Sequence, residues 1–159
     1  MTGLDLTQFR ELIIIPVLQK LGMDSESAVQ LVLGTAIQES RISYLKQMGD
    51  GPALGVFQME PATHEDIWTN YLNYRPELVR VLSDLLPPEF YGAMAHTAMV
   101  GNLWYAAAMC RVHYYRVPES LPVAGDIPGQ ARYWKAHYNT VLGAGTTDEY
   151  EHNWAQATD

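Results

Sequence analysis

The chain has a single cysteine, Cys110, so no disulfide can form within it. It lies in Ala106-Ala107-Ala108-Met109-Cys110-Arg111-Val112, among helix formers, which fits a buried structural thiol better than a nucleophile. Long apolar runs are missing too. None approaches the roughly 18 residues needed to cross a membrane, and the densest, Leu12 to Leu18, is interrupted by Pro16. That run is also a poor export signal, because Asp5 and Glu11 flank it and no small-residue cleavage site follows. The expectation is a protein made in the cytoplasm without a signal peptide and without membrane insertion. Cations are scarce: ten Lys and Arg face 18 Asp and Glu, for a net charge of -8. The cations are scattered, so a nucleic-acid footprint is absent. An anionic substrate would have to be held by shape and hydrogen bonds in a groove.

What is present is an ordinary globular composition, 48% hydrophobic and 18% charged, over 159 residues. That length suits one domain, residues 1–159, with a real core. Asp5 to Leu21 reads as a helix capped by Asp5 or Thr7, kinked or broken at Pro16 and ended by Gly22. Asp24 to Ser40 is a second helix with Asp24 or Ser25 as N-cap. Ala28, Val32, Ala36 and Glu39 share one of its faces, and Val29, Leu33 and Ile37 form an adjacent apolar stripe. A helix apolar over most of its circumference is a buried one.

Gly49-Asp50-Gly51-Pro52 is a turn signal, and its flanks, Ile42 to Leu45 and Leu54 to Met59, could pair as a small hairpin. Pro61 opens another helix, and Pro76 to Leu86 is a short one closed by Pro87-Pro88. Glu89 to Arg116 should be two helices jointed near Gly101-Asn102, followed by a loop from Val117 to Gly125. Pro128 to Tyr138 is helical, and Thr146 with Glu149 has capping-box spacing for a last helix ending near Trp154. The fold class is therefore all-α with a minor β-hairpin.

Glu39 extends an apolar face at a helix end. A carboxyl there should be partly desolvated, which raises its pKa and keeps it protonated as a proton donor. Gln58 sits in the apolar run after the turn, where it could fold back beside Glu39 and hold a ligand. A lone glutamate near a helix end is usually solvated, so the apolar stripe, the adjacent Ser40 and the turn segment carry the argument together.

Other chemistries find no support. His64-Glu65 begins like a zinc-protease motif, but position 68 is Trp. His96, His113, His137 and His152 lack ligand spacing, so no metal is expected, and nothing calls for a cofactor. Gly49-Asp50-Gly51 has no following Lys-Ser/Thr, so it is no phosphate loop, and Asp50 lacks the carboxylate series of a calcium loop.

Glu39-Ser40, Gly55-Val56-Phe57-Gln58 and Tyr138-Asn139, in that order, resemble the motifs of soluble lytic transglycosylases of the lysozyme-like superfamily. Asn102 with Ala106 resembles that family's helical Asn and following small residue, and Met59 to Thr63 its passage into the next helix. The likeness covers about Gly34 to Asn139, and the ending Trp134 to Thr140 looks like versions in tailed-phage proteins. His137 and Thr140 depart from the family's pattern around Tyr138-Asn139, and Phe57 replaces a methionine.

The resemblance implies a lysozyme-like domain whose buried central helix ends at a catalytic glutamate. Its partner would be the peptidoglycan glycan strand, cut between N-acetylmuramic acid and N-acetylglucosamine. Glu39 would act first as acid and then as base, leaving 1,6-anhydro ends. Ser40, Gln58, Tyr138 and Asn139 would bind substrate or position Glu39. The setting implied is periplasmic peptidoglycan, reached by a phage virion or lysis protein, with other virion proteins as further partners. Two alternatives stay open. One is a hydrolytic muramidase using a second carboxylate, with Asp50, Glu60, Glu65 and Asp66 as candidates. The other is a non-catalytic virion or glycan-binding module.

Overall fold

A computed structural model describes residues 3–140 and 142–159. The chain is mostly helical, as an all-α fold requires. Its first helix, α1, is built of an α turn Leu6–Gln8, a π segment Phe9–Ile14 and an α segment Ile15–Leu21. Asp5 caps it by accepting from the Gln8 N–H at 2.9 Å, and Gly22 ends it in the left-handed conformation. α1 runs on through Pro16 to Leu21, with its α pattern interrupted by the π segment just before the proline. The wide π turn precedes it, and the Leu12 carbonyl, which a residue at position 16 would ordinarily bond, accepts instead from the Trp104 indole N–H at 3.1 Å.

α2, Glu26–Ser40, is capped by Ser25, whose hydroxyl accepts from the Ala28 N–H at 3.2 Å. It is buried from Ala28 to Ile37 except at Gln30, as its all-round apolar pattern demands. α3, Pro61–Asn70, and α4, Pro76–Asp84, both begin at proline in the first turn, where the missing N–H costs nothing. A 3₁₀ segment Gly92–Thr97 and a one-turn helix Ala98–Gly101 lead to α5, Leu103–Tyr115. Asn102 makes the expected joint. It caps α5 by accepting from the Tyr105 N–H at 2.9 Å and donates to the Leu85 carbonyl at 2.8 Å. α6, Ile127–Trp134, runs on as a π segment Lys135–Asn139. α7, Thr147–Thr158, carries the full capping box of Thr146 and Glu149 and extends past Trp154.

α2 and α5 form the centre. Ala106, Ala107 and Ala108 are buried in α5, and the Thr35 and Tyr114 hydroxyls meet at 2.7 Å between the two helices. α7 packs against α2 and α6. Gly34 makes that contact possible, because a Cβ there would collide with the Tyr150 hydroxyl. Cys110 is fully buried, as its setting implied.

The hairpin expected from Ile42 to Leu45 and Leu54 to Met59 is not formed. Only isolated bridges occur there, Lys46 with Leu54 and Leu54 with Met59. The physical reason lies in the backbone. Gly55 and Gln58 both take positive φ, 74° and 48°, and curl the run into a turn that closes on itself. The Leu54 and Met59 backbones bond each other at 2.9 and 3.1 Å, while the Gly55 N–H reaches the Leu45 carbonyl at 2.8 Å.

Candidate active site

Glu39 is the penultimate residue of α2. Beyond it the chain leaves the helix abruptly, with Arg41 at φ 53° and Ile42 at φ 54°. Left-handed geometry is strained for a β-branched residue. Ser40 secures the corner. Its hydroxyl donates to the Val56 carbonyl at 2.6 Å and accepts from the Ile42 N–H at 3.2 Å. Ser40 is buried and lies outside the cleft lining, so it ties the turn segment to the helix end instead of facing a ligand.

A cleft of about 390 Å³ opens beside this corner, lined by Glu39, Gln58, Glu60, His113, Tyr138 and Asn139 among others. Gln58 bends its amide back to the Gly55 carbonyl at 2.9 Å, which fixes the side chain within the turn. Tyr138 is brought to Glu39's cleft from the far end of the chain. Its hydroxyl donates to the Phe57 carbonyl at 2.7 Å, so its proton is committed to the turn. Burial and the neighbouring Cys110 and Glu39 push the Tyr138 phenol well above its ordinary range, so it stays neutral. Its ring packs edge-on to His113 at 5.1 Å and against Tyr114 at 5.3 Å. Asn139 is held by Lys135, whose ammonium donates to the Asn139 side-chain oxygen at 2.7 Å and to the Gly143 and Gly145 carbonyls at 2.8 and 2.7 Å.

Burial raises the Glu39 carboxyl from 4.5 to about 7, against the opposing pull of a hydrogen bond from Trp134. That bond, Trp134 Nε1–H to Glu39 Oε1, is 2.9 Å long. Trp134 is fully buried and packs against the Tyr150 ring in a tilted arrangement, with centroids 5.5 Å apart. Sequence reasoning missed this residue. The signal was available: Trp134 is four residues before Tyr138, one helical turn away on the same face. Also missed was His113. Burial and the nearby Arg116 pull its pKa from 6.5 to about 4, so it is a neutral wall of the cleft at neutral pH.

Of the four carboxylates considered as a second catalytic group, only Glu60 lines the cleft. Asp50 is exposed in its turn and Glu65 is exposed on α3. Asp66 is paired with Arg116 at 2.7 Å, and hydrogen bonds from Asn70 and Arg116 hold it below the usual carboxylate range. Among the described residues no group of three or more His, Cys, Asp or Glu is placed to hold a metal ion. His64 is fully buried. Its Nε2 meets the Tyr105 hydroxyl at 2.6 Å, and that hydroxyl also accepts from the Trp68 indole at 2.9 Å. No described helix is long and apolar enough to cross a membrane.

No family model matches the chain, and neither a curated protein nor a solved structure does. The chemistry of the cleft therefore rests on its own residues. What they offer is one desolvated carboxyl able to hold a proton near neutral pH, an indole that stabilises its ionised form, and polar groups along the walls.

Trp134→Phe keeps an aromatic ring in place and removes the donor. Without that N–H the carboxylate form of Glu39 loses the hydrogen bond that stabilises it, so the Glu39 titration should move above about 7. A ¹³C-carboxyl NMR titration checks this. An unchanged midpoint would show that the indole does not tune the acid.

Proposed function

We propose that this protein is a lytic transglycosylase that cleaves the β-1,4 bond between N-acetylmuramic acid and N-acetylglucosamine in peptidoglycan. The observation that carries the reading is Glu39: a half-buried carboxyl in an open cleft, raised to about 7 by desolvation. Such a group is protonated often enough at neutral pH to give a proton and basic enough to take one back. The ordered motifs around Glu39, Gln58 and Tyr138 supply the substrate class, and phage peptidoglycan degradation is the setting they favour.

In this reading Glu39 donates its proton to the glycosidic oxygen as the bond to C1 breaks. The resulting carboxylate is held by the Trp134 N–H. It then accepts the proton of the muramoyl C6 hydroxyl as that oxygen bonds to C1. The product is a 1,6-anhydro ring, the acid is regenerated and no water is consumed. Gln58 and Asn139, fixed by Gly55 and Lys135, offer amide groups to the sugars along the cleft.

Glu60 supports a second reading. It lines the same cleft and could direct a water molecule at C1, which makes the protein a hydrolytic muramidase. Mass analysis of muropeptides released from purified sacculi separates the two. Anhydro ends are expected; reducing ends alone would assign hydrolysis.

The pH dependence follows from the same carboxyl. The acid step requires protonated Glu39, so kcat/KM should fall about tenfold per pH unit above about 7. A profile of sacculus solubilisation from pH 5 to 9 tests it. A rate rising through pH 8 would contradict the role.

A further inference from the structure

We propose that a second pocket, at the opposite end of α2 from Glu39, binds a small zwitterion with one carboxylate and one ammonium group, such as an amino acid or short peptide. The pocket holds about 440 Å³, where the turn from Leu21 to Ser25 meets the start of α4 and the end of α5. Thirteen residues of α2 lie between its N-cap Ser25 and Glu39, a span of about 20 Å at the helical rise. The site is thus distinct from the cleft and independent of any glycan chemistry there.

Arg111 is the reason to expect a ligand. It lines the pocket yet is only 7% exposed. Its Nε donates to the Met23 carbonyl at 3.4 Å, and its guanidinium lies 5.5 Å from the Tyr115 ring centre. Among the described residues its two Nη groups have no hydrogen-bond partner, and it joins none of the ion pairs. Neither Nη group is sealed from solvent, so both open onto the pocket without forming an ion pair, in a protein whose ten cations are outnumbered by 18 acids. The Met23 carbonyl and Tyr115 ring fix the fork and leave its paired N–H edges for an oxyanion. Arg75 supplies a second cation on the same wall. It is exposed, lies 5.0 Å from the Tyr71 ring centre and likewise joins no ion pair among the described residues.

Asp24 and Glu77 also line the pocket and decide which oxyanion fits. Two carboxylates repel a phosphate dianion but suit a ligand that carries its own ammonium as well as a singly charged carboxylate. Arginine fork and acidic wall together describe a zwitterion. Its source could be a free amino acid or peptide, or a peptide carried on the glycan.

The test is ¹H–¹⁵N NMR of the full chain titrated with alanyl-alanine, alaninamide, N-acetylalanine, inorganic phosphate and a disaccharide–peptide fragment. Alanyl-alanine should shift the Met23, Arg111 and Tyr115 amides saturably. Alaninamide, which lacks the carboxylate, should not, and N-acetylalanine should bind more weakly than the dipeptide. Arg111→Gln should abolish the response. Because Arg111 is buried, the exposed Arg75→Gln carries the test if that variant does not fold, with Kd raised about tenfold. Matching shifts from the disaccharide–peptide assign a glycan-borne ligand; shifts from the dipeptide alone assign a free one. Absence of saturable shifts with alanyl-alanine, an unchanged Kd in Arg75→Gln, a full response to alaninamide, or tighter binding of phosphate would each overturn the proposal.

Discussion

Replacing Glu39 by glutamine is expected to lower glycan cleavage roughly 100- to 10,000-fold, the range that a positioned general acid contributes. The amide keeps the shape of the side chain and can still accept from the Trp134 N–H, so the helical fold should be retained. It cannot donate a proton to a leaving oxygen with any driving force. The variant should also gain stability at alkaline pH. In the folded chain Glu39 titrates near 7 instead of 4.5. A raised acid contributes stability that is complete below the unfolded value and is lost as pH rises through the folded one. At pH 8 the wild type therefore carries a penalty of roughly 2–4 kcal/mol that the glutamine variant lacks, and at pH 4.5 the two should be nearly equal. Denaturant unfolding at both pH values measures this, beside zymography for activity. Equal clearing by both proteins would remove Glu39 from the chemistry. If the wild type binds peptidoglycan without cutting it, the protein is a glycan-binding module.

Gly55→Ala should be among the most damaging single-atom additions. Gly55 takes φ 74°, and a Cβ there would collide with the Met99 carbonyl oxygen, which is backbone and cannot swing away. Left-handed strain and the forced shift together should cost roughly 2–4 kcal/mol, a fall in Tm of roughly 5–15 °C. Gly22→Ala is the natural control. Gly22 has a similar φ of 70° with open space around it, so it should lose only the conformational part, about 1 kcal/mol. Gly55 also anchors Gln58 through its carbonyl, so any folded Gly55→Ala protein should lose activity as well as stability. Similar Tm losses in the two variants would mean that the Met99 contact is unimportant.

The helix that carries Glu39 was legible because its apolar residues cover nearly the whole circumference, and only burial explains such a pattern. Its cap at Ser25, the joint at Asn102 and the capping box at Thr146 were legible for a similar reason: each is a local hydrogen-bond device with fixed spacing. The Leu54 to Met59 run misled because its apolar residues suit a strand, while the positive φ of a non-glycine residue, Gln58, leaves no mark in composition. Pro16 marked an irregularity, which the helix shows as the π segment just before it, but not how that irregularity is compensated. The carbonyl it orphans is satisfied by Trp104, a residue far away in sequence, and no local rule anticipates that.

The site shows the same division. Glu39, Gln58, Tyr138 and Asn139 do line one cleft, whereas Ser40 turned out to be the tie beneath it. Asp50 drew attention by lying between Glu39 and Gln58 in sequence, but its turn points it to solvent, and Glu60 is the carboxylate that shares the cleft. Trp134 and Arg111 matter through contacts across long sequence separations, with Glu39 and Met23 respectively. Such contacts become visible only when the chain is folded.

The most direct measurement is the titration of the Glu39 carboxyl itself, by ¹³C NMR of the intact protein with Glu39→Gln to assign the signal. A single transition near pH 7 is the predicted result. A midpoint at the ordinary 4.5 would mean that the carboxyl is solvated and ionised at neutral pH, and would contradict its role as the acid.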